Sequence, residues 1–261
     1  MLARHAVLFS TCLALPLLAP AAPIACKAVS GLQTAAVLEL YTSEGCNSCP
    51  PADRQMSALT DSGLSAERVV PLGFHVDYWD YIGWKDRFAS PAYSVRQRDL
   101  ANLGGARVVY TPQFFLNGQD FRGSQSRLKS LIGELNKTPA RADIQIGLEA
   151  TTAAQWDIVG QIHVPLAASA TDAVVYLAVY ESRLASAVKA GENKGVTLKH
   201  DFVVRDWLGP LMMDGSGRLE LKRTLQLRPE QKMKDSGVVV IVQNRRTSEV
   251  LQALQLPYCG T

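Results

Sequence analysis

Cys46-Asn47-Ser48-Cys49 is the stretch of this sequence best suited to do chemistry. Two thiols with two residues between them can close a small disulfide. Exchange chemistry needs such a pair, one thiol to attack and a second to resolve the mixed disulfide. The motif follows the apolar run 36–41 and the turn Thr42-Ser43-Glu44-Gly45. It precedes a helical pattern over 51–59, with Ala52, Met56 and Leu59 on one face. At a helix start the unsatisfied N–H groups and the helix dipole favour a thiolate. Cys46 is therefore expected as an exposed, nucleophilic thiol at the tip, and Cys49 as the shielded resolving thiol. Pro50 and Pro51 are tolerated because first-turn amides lack intrahelical partners. The same spacing would also serve a plain structural disulfide or half of a zinc site. For zinc, a second CxxC is missing and the four His are scattered.

The compartment decides what cysteines do. Met1 to His5 carries Arg4 and His5, and residues 6–19 form an apolar run broken by Pro16. That run is shorter than the about 20 residues of a transmembrane helix. With Ala19-Pro20-Ala21-Ala22 behind it, residues 1–21 read as a secretory signal peptide. The mature chain is then expected to be periplasmic or secreted, with no transmembrane segment. Cys12 leaves with the signal, so Cys26, Cys46, Cys49 and Cys259 remain, an even number in an oxidising compartment. Cys26 and Cys259 are the two outside the motif and are expected to pair. A competing fate is a lipid anchor at Cys26, because Ile24-Ala25-Cys26 has the small-residue step of a lipoprotein box.

The elements around the motif alternate. Strands are expected at 36–41 and 69–76, helices at 51–59 and 90–103, and a hairpin at 111–122 turning on Asn117-Gly118. A last helix, capped by Ser124, runs to Leu135. The order β-α-β-α-β-β-α contains a βαβ unit and hence a parallel strand pair. From Ala142 onward, short alternating strands and turn signals such as Asp214-Gly215 suggest a β-sandwich. The expected architecture is an α/β thioredoxin-like domain at 35–138 with a helical insertion, followed by an all-β, sandwich-like domain at 139–258. Thr111-Pro112 precedes the late strand, where thioredoxin-like folds place a cis-Pro opposite the CxxC, so both residues join the candidate site.

Other residues carry two readings. His75 and Asp77 end the second strand, on the edge where βα loops build sites, and either could tune a thiolate or move protons. Equally, His75 could point into the core while Asp77 and Asp80 cap the next turn. Tyr78, Trp79, Tyr81 and Trp84 could wall a substrate or pack an insertion onto the sheet. Gly191-Glu192-Asn193-Lys194-Gly195 could reach toward the CxxC face, though most such polar, Gly-bounded loops are solvated turns, and His200 is read as a structural histidine.

Four blocks carry a resemblance. They are Leu38 to Asp53 around the CxxC, Phe74 to Asp86, and Tyr110-Thr111-Pro112-Gln113 with Asn117-Gly118; Gly191 to Gly195 with Leu198 and His200 is a fourth, in the second segment. Together they resemble an exported bacterial family called domain of unknown function 1223, which is similar to thioredoxin-like proteins. Gly45 stands where many thioredoxins carry Trp, which argues against a general disulfide reductase.

Three functions follow. The first is an exported thiol–disulfide oxidoreductase acting on a protein or small-molecule thiol or disulfide, with Cys46, Cys49, Thr111, Pro112, His75 and Asp77 at its site. The second is a copper-binding or delivery protein using the Cys pair and His75. The third is a non-catalytic binding module stapled by the CxxC. No bound cofactor or resident metal is called for. A charge balance of 27 basic against 24 acidic residues leaves only +3 and points away from nucleic acid.

Overall fold

The computed structural model describes residues 25–59, 63–152, 154–165 and 170–259. The expected signal peptide, residues 1–21, lies outside them. In the first segment the chain runs β1 (Ala25–Val29), β2 (Ala36–Thr42), α1 (Pro50–Ser57), β3 (Val69–His75), α2 (Pro91–Leu103), β4 (Gln113–Leu116), β5 (Gln119–Phe121) and α3 (Gln125–Leu135). The second segment contributes β6 (Asp143–Thr152), β7 (Gln155–His163), β8 (Ala173–Glu181), β9 (Leu184–Ala187), β10 (Thr197–His200), β11 (Val203–Met212), β12 (Arg218–Gln226), β13 (Ser236–Asn244) and β14 (Val250–Pro257).

The strands do not divide where the sequence changes its grammar. One eight-stranded mixed sheet runs in the order β14-β13-β8-β11-β3-β2-β4-β5 and draws strands from both segments. A second sheet, β1-β6-β7-β12, covers one part of it, and β9 and β10 form a small ladder apart. The expectation of a thioredoxin-like α/β domain followed by a separate sandwich-like β domain is overturned. Strand far exceeds helix among the described residues, which hold three α-helices, and the central sheet is shared.

The physical reason is β11. Its first residue, Val203, pairs in parallel with Gly73 of β3, and Gly73 N donates to Phe202 O at 2.8 Å. From there β8, β13 and β14 extend the sheet by antiparallel ladders. These strands need both faces apolar. In β13, Val239 and Ile241 face the core shared with α1, α2 and α3, while Val238, Val240 and Val242 face the core under the second sheet. The apolar run Val238 to Val242 suits a strand buried on both sides. The result is three layers: helices, large sheet, small sheet.

Several local expectations hold. Ser90 caps α2 by accepting from Ala92 N at 3.3 Å, and Ser124 caps α3 by accepting from Arg127 N at 3.3 Å. Asn117 and Gly118, at φ 48° and 79°, turn the hairpin between β4 and β5. Cys26 and Cys259 are disulfide-bonded, with Cα atoms 5.7 Å apart. That bond occupies the sulfur a lipid anchor at Cys26 would need, and nothing in the structure supports the anchor. The two disulfides fit an oxidising, extracytoplasmic setting. Among the described residues no helix is long and apolar enough to cross a membrane.

Candidate functional site

β2 and β3 are parallel, with Thr42 opposite His75, so their carboxyl ends open on one edge of the sheet. Loops leaving such an edge are where parallel sheets build sites. β4 runs antiparallel to β2, with Gln113 opposite Tyr41. Pro112 therefore sits at the same edge as the turn that carries Cys46. The Thr111–Pro112 bond is cis.

The turn after β2 closes on itself. Cys46 N donates to Ser43 O and Cys49 N to Cys46 O, both at 3.2 Å. Cys46 and Cys49 are disulfide-bonded, with Cα atoms 5.4 Å apart. The helix begins one residue later than the motif, so Cys49 is its N-cap and Cys46 lies in the preceding turn. Cys49 is shielded as expected. Cys46 is not at an open tip: it is 1% exposed.

The second segment is the reason. Asn193 Nδ2 donates to Glu44 O and to Cys46 O, each at 2.9 Å, and Glu192 Oε2 accepts from Asn47 N at 3.0 Å. Of the two readings of this loop, the one reaching toward the CxxC face holds: it is a clasp on the disulfide turn. Gly191 and Gly195, at φ 72° and 85°, bound it in backbone conformations that favour glycine. Gly191 and Gly45 also pack closely against the aromatic block: a Cβ on either would come within 3.0–3.1 Å of Ile82 Cδ1. Trp79 Nε1 donates to Thr111 Oγ1 at 2.7 Å, and Trp84 Nε1 to Glu44 Oε2 at 2.8 Å. The rings thus pack and tether the turn, the Thr111–Pro112 strand entry and the clasp.

One prediction follows from the clasp. Asn193→Ala removes two side-chain hydrogen bonds, worth together about 1–3 kcal/mol. The reaction of the disulfide with a small thiol is expected to speed up by about five- to a hundredfold. An unchanged rate would show that the clasp does not limit access to Cys46.

Below the turn, Glu44, Asp53, His75, Asp86 and His200 are all buried. His75 Nδ1 and Asp86 Oδ2 are 2.6 Å apart, and Asp86 also accepts from Glu44 N and Phe88 N, both at 2.9 Å. Burial alone would lower the His75 imidazole, but Asp86 raises it above its ordinary value. Burial alone would raise Asp86, yet His75 and the two amides hold it below the ordinary carboxylate value. Glu44 likewise lies low against its burial, because His200, Ser186 and Trp84 face it. Asp53 is the exception. Burial holds it above its ordinary value despite His200, His75 and a 2.9 Å hydrogen bond from Thr42 Oγ1.

Asp77 belongs elsewhere. Its carboxylate accepts a short hydrogen bond from Ser94 Oγ, and its N–H donates to Ser94 Oγ at 3.3 Å, so it fastens α2 to the sheet edge. His75 is likewise engaged with Asp86. Among the described residues no group of three or more His, Cys, Asp or Glu could hold a metal ion. Sequence reading passed over Glu44, Asp53 and Asp86 as site residues and took His200 as structural. The signals were present: Glu44 is two residues before Cys46, and Asp53 is one helical turn after Cys49.

A second prediction concerns Asp53. A carboxyl raised on folding favours the protonated native state, so its cost is absent below its ordinary value of 3.8 and grows as pH rises through the folded value. Asp53→Asn is therefore expected to raise the melting temperature at neutral pH, with the gain disappearing below about pH 4. A gain that persists in acid would contradict this origin.

Two solved structures are similar to this chain. A protein from Agrobacterium tumefaciens, a structural-genomics target, matches with 27% identity and a TM-score of 0.62, covering 89% of this chain and 98% of that one. HBP35 of Porphyromonas gingivalis matches with 17% identity and a TM-score of 0.67, covering 87% of this chain and 76% of that one, and so shares the fold. No curated protein matches. The disulfide turn, the aromatic block, the Thr111–Pro112 strand entry and the clasp all fall inside one family match. Over residues 37–243 the chain fits the model described as a protein of unknown function, DUF1223, and it belongs to that family.

Proposed function

We propose that this chain is an exported thiol–disulfide oxidoreductase, periplasmic or secreted, whose reacting pair is Cys46 and Cys49. The observation that carries the proposal is the placement of that disulfide. It lies at the start of α1, over buried carboxyl and imidazole groups, and is held by a clasp from a distant part of the chain. A plain staple needs none of these. The helix start favours a thiolate at the released sulfur, and Cys49, at the N-cap, is placed to return to a mixed disulfide on Cys46. The substrate is a protein or small-molecule thiol or disulfide that reaches Cys46 when the clasp opens. Thr111 and Pro112 form the adjoining wall at the same sheet edge, tied to the aromatic block through Trp79.

The test is selective reduction. The folded protein is treated with a small dithiol in limited amount, and its peptides are mapped after alkylation. The proposal expects Cys46–Cys49 to open well before Cys26–Cys259. Equal resistance of the two bonds, or earlier opening of Cys26–Cys259, would overturn it.

A further inference from the structure

The buried ionisable groups under the disulfide turn come from five places in the chain. They are the loop after β2 (Glu44), α1 (Asp53), the end of β3 (His75), the loop before α2 (Asp86) and the end of β10 (His200). His75 and Asp86 satisfy one another. His200 is different. It is 2% exposed, its Nε2 is 3.4 Å from Glu44 Oε1, and its Nδ1 is 3.6 Å from Asp53 Oδ2. Neither ring nitrogen, nor Glu44 Oε1, makes a well-aligned hydrogen bond, although His200 faces Glu44 closely enough to help hold that carboxyl low. An unsatisfied buried polar group costs about 1–3 kcal/mol, so a histidine placed this way between two carboxyls is expensive for a structural residue.

The chemistry of the trio is restricted. A neutral imidazole has one N–H, so it can donate to one carboxylate and must accept from the other, which must then carry a proton. An imidazolium can donate to both carboxylates. The arrangement with charged His200 and ionised Asp53, and the arrangement with neutral His200 and protonated Asp53, have the same net charge. They differ by one proton moved between Nδ1 and Oδ2. Such a chain can give up or take a proton with little rearrangement.

Its two carboxyl-bearing residues are neighbours of the two cysteines along the backbone. Glu44 is two residues before Cys46, and Asp53 N donates to Cys49 O at 3.1 Å from one turn along α1. The other groups facing it are the His75 ring, 4.8 Å from the His200 ring, and Asp86 behind it. Phe88, Thr42, Trp84 and Ser186 complete the surroundings.

We propose that Glu44, His200 and Asp53 are positioning residues that hold and deliver the proton of the Cys46–Cys49 couple. The inference rests on the redox reading above. A donor dithiol loses one proton to solvent and attacks Cys46 Sγ as a thiolate. The S–S bond breaks, and its electron pair leaves on Cys49 Sγ, which takes the proton held by Asp53. The donor's second thiol loses its proton and attacks the donor sulfur of the mixed disulfide. Cys46 leaves as a thiolate and takes up that proton. The proton first lost to solvent returns to the chain through His200. The donor is oxidised to a disulfide, and the cysteine pair gains two electrons and two protons.

The test is stopped-flow reduction of the full chain by dithiothreitol across about pH 5 to 9, corrected for the thiolate fraction of the reagent. General acid–base groups commonly contribute about 10²–10⁴ in rate. The wild type is expected to show an inflection in this profile. Asp53→Asn and His200→Asn are expected to lose it and to slow at least about tenfold. Near-UV circular dichroism and melting temperature establish that each variant is folded, and Asp53→Asn decides alone if His200→Asn is not. A folded Asp53→Asn with a wild-type profile and a rate within about twofold overturns the proton role and leaves the redox reading standing. A wild type whose Cys46–Cys49 bond exchanges with no dithiol overturns both.

Discussion

Cys49→Ser is expected to accumulate mixed disulfides on Cys46, and Cys46→Ser to accumulate none. The asymmetry follows from position. Cys49 is the N-cap of α1, fully buried, with its carbonyl accepting from Ala52 N and Asp53 N. Its burial within the helix start keeps an incoming thiol from it. Cys46 is buried as well, but it lies in the turn before α1, whose carbonyls at Glu44 and Cys46 are held by Asn193, and release of that clasp is what the proposal requires to uncover it. Once Cys46 carries a mixed disulfide, only the Cys49 thiol lies close enough to resolve it. A serine there cannot attack, so the adduct persists until an external thiol removes it. Capture during export followed by non-reducing mass mapping reads the result. Equal trapping by both variants would reverse the assignment of roles, and trapping by neither would count against exchange at this pair.

The largest expected loss of stability comes from Arg96→Met. Arg96 of α2 forms a two-pronged ion pair with Glu39 of β2, at 2.8 Å through Nε and 2.7 Å through Nη2. Tyr41 donates to Glu39 Oε2 at 2.7 Å, and the guanidinium lies over the rings of Trp207 and Tyr176 at 4.3 and 4.6 Å. Both charges are buried at the join between the helices and the shared sheet, with strands of both segments in contact. Removing one partner of a buried pair leaves an uncompensated charge and typically costs about 3–5 kcal/mol. Replacing both with apolar residues of similar volume is often close to neutral. Urea titration should therefore show a large loss for Arg96→Met and substantial recovery for Glu39→Leu with Arg96→Met. An additive loss in the double variant would mean that packing over Trp207 and Tyr176, rather than charge, is what Arg96 supplies.

The first segment was legible because its signals are local. The β2-α1-β3 run, the capping residues Ser90 and Ser124, and the Asn117-Gly118 turn each depend on neighbours a few residues away. The shared sheet was not legible. β11 carries Arg205, Asp206 and Gly209-Pro210 and breaks its ladder with β8 by two register shifts, so its pattern reads poorly as a strand. Yet its pairing with Gly73 is what joins the segments. The strands β8 and β13 were found, but a run of valines does not say which sheet it enters. The same limit applies to the site. Cys46 and Cys49 announce themselves by spacing, and Thr111-Pro112 by its place in the order of elements. Asn193 acts on the turn from 149 and 147 residues away and His200 reaches Glu44 from similarly far along the chain, and their partners are set by the fold alone.

The pairing of Cys26 with Cys259 shows what elimination can do. With the motif set aside these were the two thiols left, and the structure bonds them across a separation of 233 residues. That bond also supplies an internal reference for the chemistry of the other. The most direct measurement is the equilibrium of each disulfide against glutathione redox buffers, read separately by alkylation and peptide mapping. An exchanging Cys46–Cys49 pair should be half-reduced at a potential within about −270 to −120 mV, while Cys26–Cys259 stays oxidised throughout. A Cys46–Cys49 potential below about −300 mV, indistinguishable from that of the Cys26–Cys259 bond, would mark it as a permanent staple and contradict the account.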